Sequence, residues 1–258
     1  MKKRAVSVLA LIGCAVYSGS ACAEQADAFS LGAGVFRSSG TYGGTQSTDI
    51  LYVPVTGKYR TKDWVFKLVV PYIRITGPGN VLNGVGLTGN ANATTRSTHG
   101  GLGDVIAAAT RKVYDGGTSG FMVSLTGKIK FGTASAAQGL GTGKNDYALQ
   151  TNVAQAFGRA MAFGSLGYRV YGSPAAYTLN NVFYGSVGAL YKFVPDTSAG
   201  MLFDFRQKAL AYGYPRREAM LFVNQTLDRQ WQAQAYALKG FTNGSPDFGA
   251  GLSVTRLF

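Results

Sequence analysis

The chain has almost nothing with which to do covalent or metal chemistry. Of its 258 residues two are cysteine, Cys14 and Cys22, and one is histidine, His99. Both cysteines fall in a stretch that reads as an export signal. Lys2, Lys3 and Arg4 form a basic n-region, Ala5 to Val16 an apolar h-region, and Ala21-Cys22-Ala23 a small-residue cleavage site. The expected organisation is a signal peptide over 1–23 and one mature unit over 24–258. Leu11-Ile12-Gly13-Cys14 also satisfies a lipid-attachment motif. Cleavage after Ala23 is preferred because it gives the longer h-region and a polar c-region. A mature chain without cysteine builds no disulfide, thiolate metal site or cysteine nucleophile. Losing Lys2, Lys3 and Arg4 lowers the formal charge from +13 to +10, so the exported chain stays basic.

Long apolar runs are also missing. No mature segment reaches the roughly 18 apolar residues of a transmembrane helix, yet 46% of the chain is hydrophobic and only 14% charged. Apolar residues must be spread thinly and regularly, and 36 glycines with 12% aromatic residues suit strands and turns. This composition fits an all-β transmembrane barrel. A periplasmic β-sandwich would share the alternation but point its apolar face into a core.

Period-two segments favour the barrel. Over 121–132, Phe121, Val123, Leu125, Gly127, Ile129 and Phe131 share one face, while Met122, Ser124, Thr126, Lys128, Lys130 and Gly132 share the other. Val182 to Phe193 repeats the pattern. In 199–211, Met201, Phe203 and Phe205 oppose Asp204, Arg206 and Lys208, and three charges on one face suit a hydrated lumen better than a sandwich core. About twelve such segments are expected, at 29–37, 49–60, 64–76, 101–114, 120–132, 146–157, 161–172, 181–194, 199–211, 217–227, 231–241 and 248–258. Short connections alternate with longer ones, as in an antiparallel up-and-down barrel with short periplasmic turns and long external loops.

Trp64 and Trp231 each follow a short turn, and Tyr59, Phe121, Phe157, Tyr191, Phe193 and Phe258 lie near the same ends. Amphipathic rings at one level suggest a girdle at the membrane–water boundary. Phe248, Ala250, Leu252 and Val254 lead at period two to Phe258, the expected signal for barrel assembly machinery. Arg256 interrupts this apolar face, close enough to the end to snorkel.

Several landmarks resemble a known family. Val70-Pro71-Tyr72 before a Gly-rich loop, Gly101-Leu102-Gly103-Asp104, Lys128-Ile129-Lys130-Phe131-Gly132-Thr133, and Leu140-Gly141-Thr142-Gly143-Lys144-Asn145-Asp146 resemble successive motifs of outer-membrane transporter-like barrels named for the MetA pathway of phenol degradation. Gly132 departs from the proline usual before the threonine. The resemblance implies uptake of aromatic or other small hydrophobic compounds, and makes Gly101, Gly103, Asp104, Gly141, Gly143 and Asp146 motif residues. It supplies no catalytic residues.

Enzyme signals are weak. Gly84-Val85-Gly86-Leu87-Thr88-Gly89 fits G-x-G-x-x-G without a helix behind it. Gly143-Lys144 lacks the upstream spacing of a phosphate loop. His99, read as ending the longest loop, has no serine two residues on, unlike the lipid-face His/Ser pair of outer-membrane phospholipases. Neither catalysis, a cofactor, a metal nor nucleic acid is expected.

The face assignment turns Lys58, Arg60, Lys67, Lys112, Lys128, Lys130, Arg169, Lys192, Arg206 and Lys208 inward, with Asp49, Asp104, Asp146, Asp204 and Glu218 as the acidic minority. Facing lipid at the midplane would cost ~2–4 kcal/mol for each Lys or Arg. The expected role is a passive channel in a Gram-negative outer membrane for small anionic or aromatic solutes, with lipid and the assembly machinery as partners. Lys128 with Lys130 on one strand and Arg206 with Lys208 on another are the expected selectivity residues, and their mutual neutralisation against Asp104, Asp204 and Glu218 is the competing expectation. The rival role is a non-conducting barrel, plugged by such charge pairs or by loop 77–100, whose external loops bind a partner or surface.

Overall fold

A computed structural model describes residues 28–82 and 84–258. The expected signal peptide, with the alternative processing site at Cys14, lies outside the described residues. The elements run β1 (Ala28–Gly40), β2 (Thr48–Arg60), β3 (Trp64–Gly77), the loop strands β4 (Val81–Leu82) and β5 (Gly86–Leu87), then β6 (Ser97–Leu102) and β7 (Ile106–Asp115). A 3-10 turn (Gly117–Ser119) precedes β8 (Phe121–Lys130), β9 (Asp146–Phe157), β10 (Ala160–Val170) and β11 (Val182–Val194). The chain ends with β12 (Thr197–Arg206), β13 (Arg216–Thr226), β14 (Trp231–Gly240) and β15 (Phe248–Leu257).

Each long strand pairs antiparallel with its sequence neighbour, and β1 pairs with both β2 and β15. Because β6 and β7 occupy successive lengths of β3, they form one broken stave. The sheet is thus a closed barrel of twelve staves. Closure satisfies the backbone without water, the condition for crossing lipid.

The pleat decides what faces where. Outward side chains such as Leu149 (62% exposed), Leu221 (64%) and Phe248 (64%) would be a liability in water and are at home in lipid. Inward positions carry Ser124, Thr126, Gln150 and Asn152, all buried. Asn152 donates to Thr126 Oγ1 (3.0 Å) and Ser124 Oγ (3.2 Å), so the polar face of β8 and β9 is knit by a cross-strand ladder. Two aromatic levels bound the apolar band. At the short-turn end Trp64 stacks on Phe66 at 5.8 Å and Tyr191 meets Phe193 at 5.1 Å. At the long-loop end Tyr168 meets Phe183 at 4.9 Å. Outward cations sit at these levels: Arg111 over Trp64, Lys239 over Phe248, and Arg256 over both Trp231 and Phe258. The expected snorkelling of Arg256 takes this form, a guanidinium lodged among girdle rings where charge costs little.

Two expected boundaries move. The segment taken as 199–211 ends at Arg206, because the chain leaves the sheet at Gln207 to build a loop. The fourth stave begins at Ser97 rather than at 101 and breaks over 103–105. His99 consequently lies on β6 opposite Ile75, exposed, with its Nε2 3.0 Å from the Oγ of Ser97 two residues earlier.

Candidate functional site: the charged lumen

A cavity of about 1150 Å³ lies inside the barrel. It begins among the short turns, at Thr61, Lys62, Gly117 and Gly158, and ends under Leu82, Gly84, Val85 and Gly86 of the loop between β3 and β6. That loop crosses the mouth. Val81 packs with Ile50, Ile73 and Ile75 on the β2–β3 wall, while Leu82 and Val85 pack with Tyr171, Val182 and Leu210 on the opposite side. Arg206 fastens the crossing, donating from Nη1 to the Gly84 carbonyl and Tyr171 Oη and from Nη2 to the Val85 carbonyl at 3.2 Å. Tyr42, in the loop after β1, joins the first of these clusters, and burial pushes its phenol up to about 12.

Among the described residues the lining holds ten basic and five acidic side chains, as many of each sign as the face assignment gave, although the members differ. Lys58, Arg60, Lys67, Lys112, Lys128, Lys130, Arg169, Asp204 and Arg206 line it as expected. Lys208 does not. It sits exposed in the loop after β12, donating to the Ala211 carbonyl at 2.7 Å, because the strand stops two residues before it. Lys192 has inward parity but lies towards the short-turn end beyond Leu190, whose cluster with Phe163, Leu202, Met220, Phe222 and Tyr236 fills that side of the lumen. Asp49 points outward at the rim, 3.2 Å from Arg96 and 3.8 Å from Arg37. In their place stand Lys62, Asp115 and Arg216. Arg216 lies one residue before the hydrophobic period of β13 begins; Lys62 sits in a turn, and Asp115 ends β7 beyond a register shift at Lys112–Tyr114, where simple parity gives no face.

The charges are layered. At the long-loop end Lys130 Nζ lies 2.7 Å from Asp104 Oδ2 and 3.3 Å from Asp146 Oδ2, and donates to the Lys144 carbonyl at 3.1 Å. Across the lumen Arg216 meets Glu218 at 2.5 Å and Asp204 at 3.8 Å. With Arg169 and Arg206 this layer has four cations and four carboxylates. Lower down, Lys128 donates to Gln150 Oε1 and lies 5.4 Å from the Tyr184 ring, whose centroid is 5.2 Å from Arg169. At the short-turn end Lys58, Arg60, Lys62, Lys67 and Lys112 line the cavity with Asp115, which engages Lys112 at 3.1 Å. Among the described residues the positive excess therefore sits at the inner end.

The motif residues converge on Lys130. Asp104 accepts from the Ala134 N–H at 3.0 Å, and Thr133 Oγ1 donates to the Gly103 carbonyl at 2.9 Å. A side chain at Gly103 would strike Ile73 and Pro71, and one at Gly141 would strike Ala134 and Asp104; loop 131–145 thus seats on the broken stave only through glycine. Gly101 faces Leu140 and Gly143 has φ +66°. Gly132, where the family resemblance led one to expect proline, uses its N–H to donate to Asn145 Oδ1 at 2.9 Å, which proline lacks. Phe258 donates its N–H to the Phe29 carbonyl (2.9 Å), and its ring lies 5.7 Å from that of Phe29.

No family model matches the sequence, and no curated protein matches it. Solved structures do share the fold. An outer-membrane channel from Pseudomonas putida F1 is 14% identical, with a TM-score of 0.70 over 94% of this chain and 100% of the other. The KdgM porin is 10% identical, with a TM-score of 0.53 over 88% and 98%. The β domain of the Bordetella autotransporter BrkA is 10% identical, with a TM-score of 0.50 over 90% and 99%. The fold of this chain is accordingly that of an outer-membrane β-barrel.

Proposed function

We propose that the chain forms a passive outer-membrane channel for small solutes that are anionic or aromatic. The observation that carries this reading is the cavity of about 1150 Å³, enclosed by a lipid-compatible wall and lined by ten basic and five acidic side chains. A lining of one dominant sign lowers the barrier to counter-ions and raises it for co-ions. Tyr52, Val69, Ile73, Tyr171, Tyr184 and Leu238 add apolar surface to the same lining, which suits an aromatic body. Lys58, Arg60, Lys67 and Lys128 are the side chains assigned to selectivity. Lys130 and Arg206 are assigned to holding the mouth, Lys130 between Asp104 and Asp146 and Arg206 on the Val85 carbonyl.

A second reading has an observation of its own. The loop between β3 and β6 crosses the mouth and is bound at both walls, which supports a plugged barrel acting through its external loops. Conductance of the purified protein in planar bilayers separates the two. Discrete current steps are expected of the channel, and a silent but folded barrel would favour the plug.

A further inference from the structure

The lipid-facing wall is not uniform in charge. Among the described residues the outward positions of β8 to β12 carry no charged side chain. The long-loop end of β1 and β3 differs. The outward positions of β3 run Trp64, Phe66, Leu68, Val70 and Tyr72, all exposed, and then Arg74. From Trp64 to Tyr72 the strand advances about 27 Å, or roughly 20 Å of depth at a 40° tilt, close to the ~25 Å apolar band of such barrels. Arg74 therefore stands where acyl chains give way to headgroups. Arg37 and Arg74 pair with Leu51 from its two sides, which sets them at one level about 10 Å apart. One level further out, Asp49 lies 3.2 Å from Arg96 and 3.8 Å from Arg37, whose side chain is still 76% exposed. Lys239 follows in that outer row, reached from Asp49 through Ser39 and Phe248. Among the described residues Asp49 is the one carboxylate on the outward positions of β14, β15, β1, β2 and β3. It faces four cations spread over ~20 Å of rim.

We infer that this sector of the rim binds the phosphorylated glycolipid of the outer leaflet, with Arg37 and Arg74 on its phosphates, Arg96 and Lys239 beside them, and its acyl chains on the apolar wall below. A guanidinium presents paired donors that match a phosphate, and a cation as exposed as Arg37 gains little from its distant carboxylate in water. The spacing of the two arginines selects the headgroup. One phosphate engages one guanidinium, whereas two phosphates on a single headgroup engage both. The site lies on the outside of the barrel and is independent of whether the lumen conducts.

The test is native mass spectrometry of the protein purified from outer membranes, titrated in detergent micelles with bisphosphorylated lipid A, its monophosphorylated form and phosphatidylglycerol. The bisphosphorylated lipid is expected to bind at least fivefold more tightly than either of the others. Arg37→Gln with Arg74→Gln should abolish that preference, and Arg37→Lys with Arg74→Lys should keep most of it. Arg111→Gln with Arg256→Gln removes the same charge from the outward face at the short-turn end, beside Trp64 and Trp231, and should leave the preference unchanged. Equal binding of the three lipids by the wild-type protein would overturn the site, whatever the variants do. So would a preference that survives loss of Arg37 and Arg74, or one that falls as far on loss of Arg111 and Arg256.

Discussion

Replacing Lys130 by methionine removes the cation shared by Asp104 and Asp146 while keeping most of the aliphatic stem. Breaking a fully buried ion pair by deleting one partner costs about 3–5 kcal/mol, mainly because a charge is left behind. Here the Lys130 side chain is 20% exposed and its partners 14% and 5%, so water recovers part of the loss. A destabilisation of about 2–3 kcal/mol is expected. The stranded carboxylates keep their backbone donors, Ala134 N–H for Asp104 and Gly172 N–H for Asp146. Neutralising them should therefore rescue the fold: the triple variant Lys130→Met, Asp104→Asn, Asp146→Asn is expected to recover at least half of the loss. Urea unfolding of the barrel in lipid vesicles, read by the gel mobility of folded and unfolded forms, measures both quantities. A single variant within about 0.5 kcal/mol of wild type, the range of an ordinary surface change, would refute the hub. So would a triple variant no more stable than the single.

Arg206→Ala should release the loop between β3 and β6 and raise single-channel conductance, since its guanidinium holds Gly84, Val85 and Tyr171; unchanged current would mean that the hydrophobic contacts of Leu82 and Val85 hold the crossing unaided. Deleting Phe258 should lower the yield of folded barrel in the membrane more than Phe203→Ala, a mid-strand change, and equal yields in a fractionation assay would count against an assembly signal at the terminus.

Strand faces were legible because a period of two reports directly on a pleat with lipid on one side and water on the other. The alternation over 121–132 places every side chain of β8 on its observed face, and the two tryptophans mark one membrane level since they follow turns of the same kind. Strand ends were less legible. Phe203 and Phe205 continue smoothly in period through 207–211, so nothing local says that Lys208 has left the sheet. The broken stave at 103–105 was hidden for a related reason: its glycines read as motif, while the register change depends on loop 131–145 folding back from another hairpin. Long-range pairing was the least legible of all. Lys128 and Lys130 look equivalent two residues apart, yet one meets Gln150 and the other two carboxylates. The loop crossing the mouth likewise depends on Arg206, more than a hundred residues away in sequence.

A conducting lumen with its positive excess at the inner end reveals itself in the reversal potential under a salt gradient. An ion passing about 6 Å from each of Lys58 and Lys67 feels roughly 0.7 kcal/mol per charge even at the dielectric of water, and more in a narrow low-dielectric passage. Two such charges lower the barrier for an anion by about 1.4 kcal/mol, a roughly tenfold change in its crossing rate. Wild-type current should thus prefer anions at 0.1 M salt, and the preference should shrink near 1 M, where screening acts within about 3 Å. Lys58→Gln with Lys67→Gln should reduce the preference sharply, and Lys130→Gln, which removes one positive charge rather than two, should reduce it less. A wild-type pore that prefers cations, or a Lys58/Lys67 variant with unaltered reversal potential, would contradict the account.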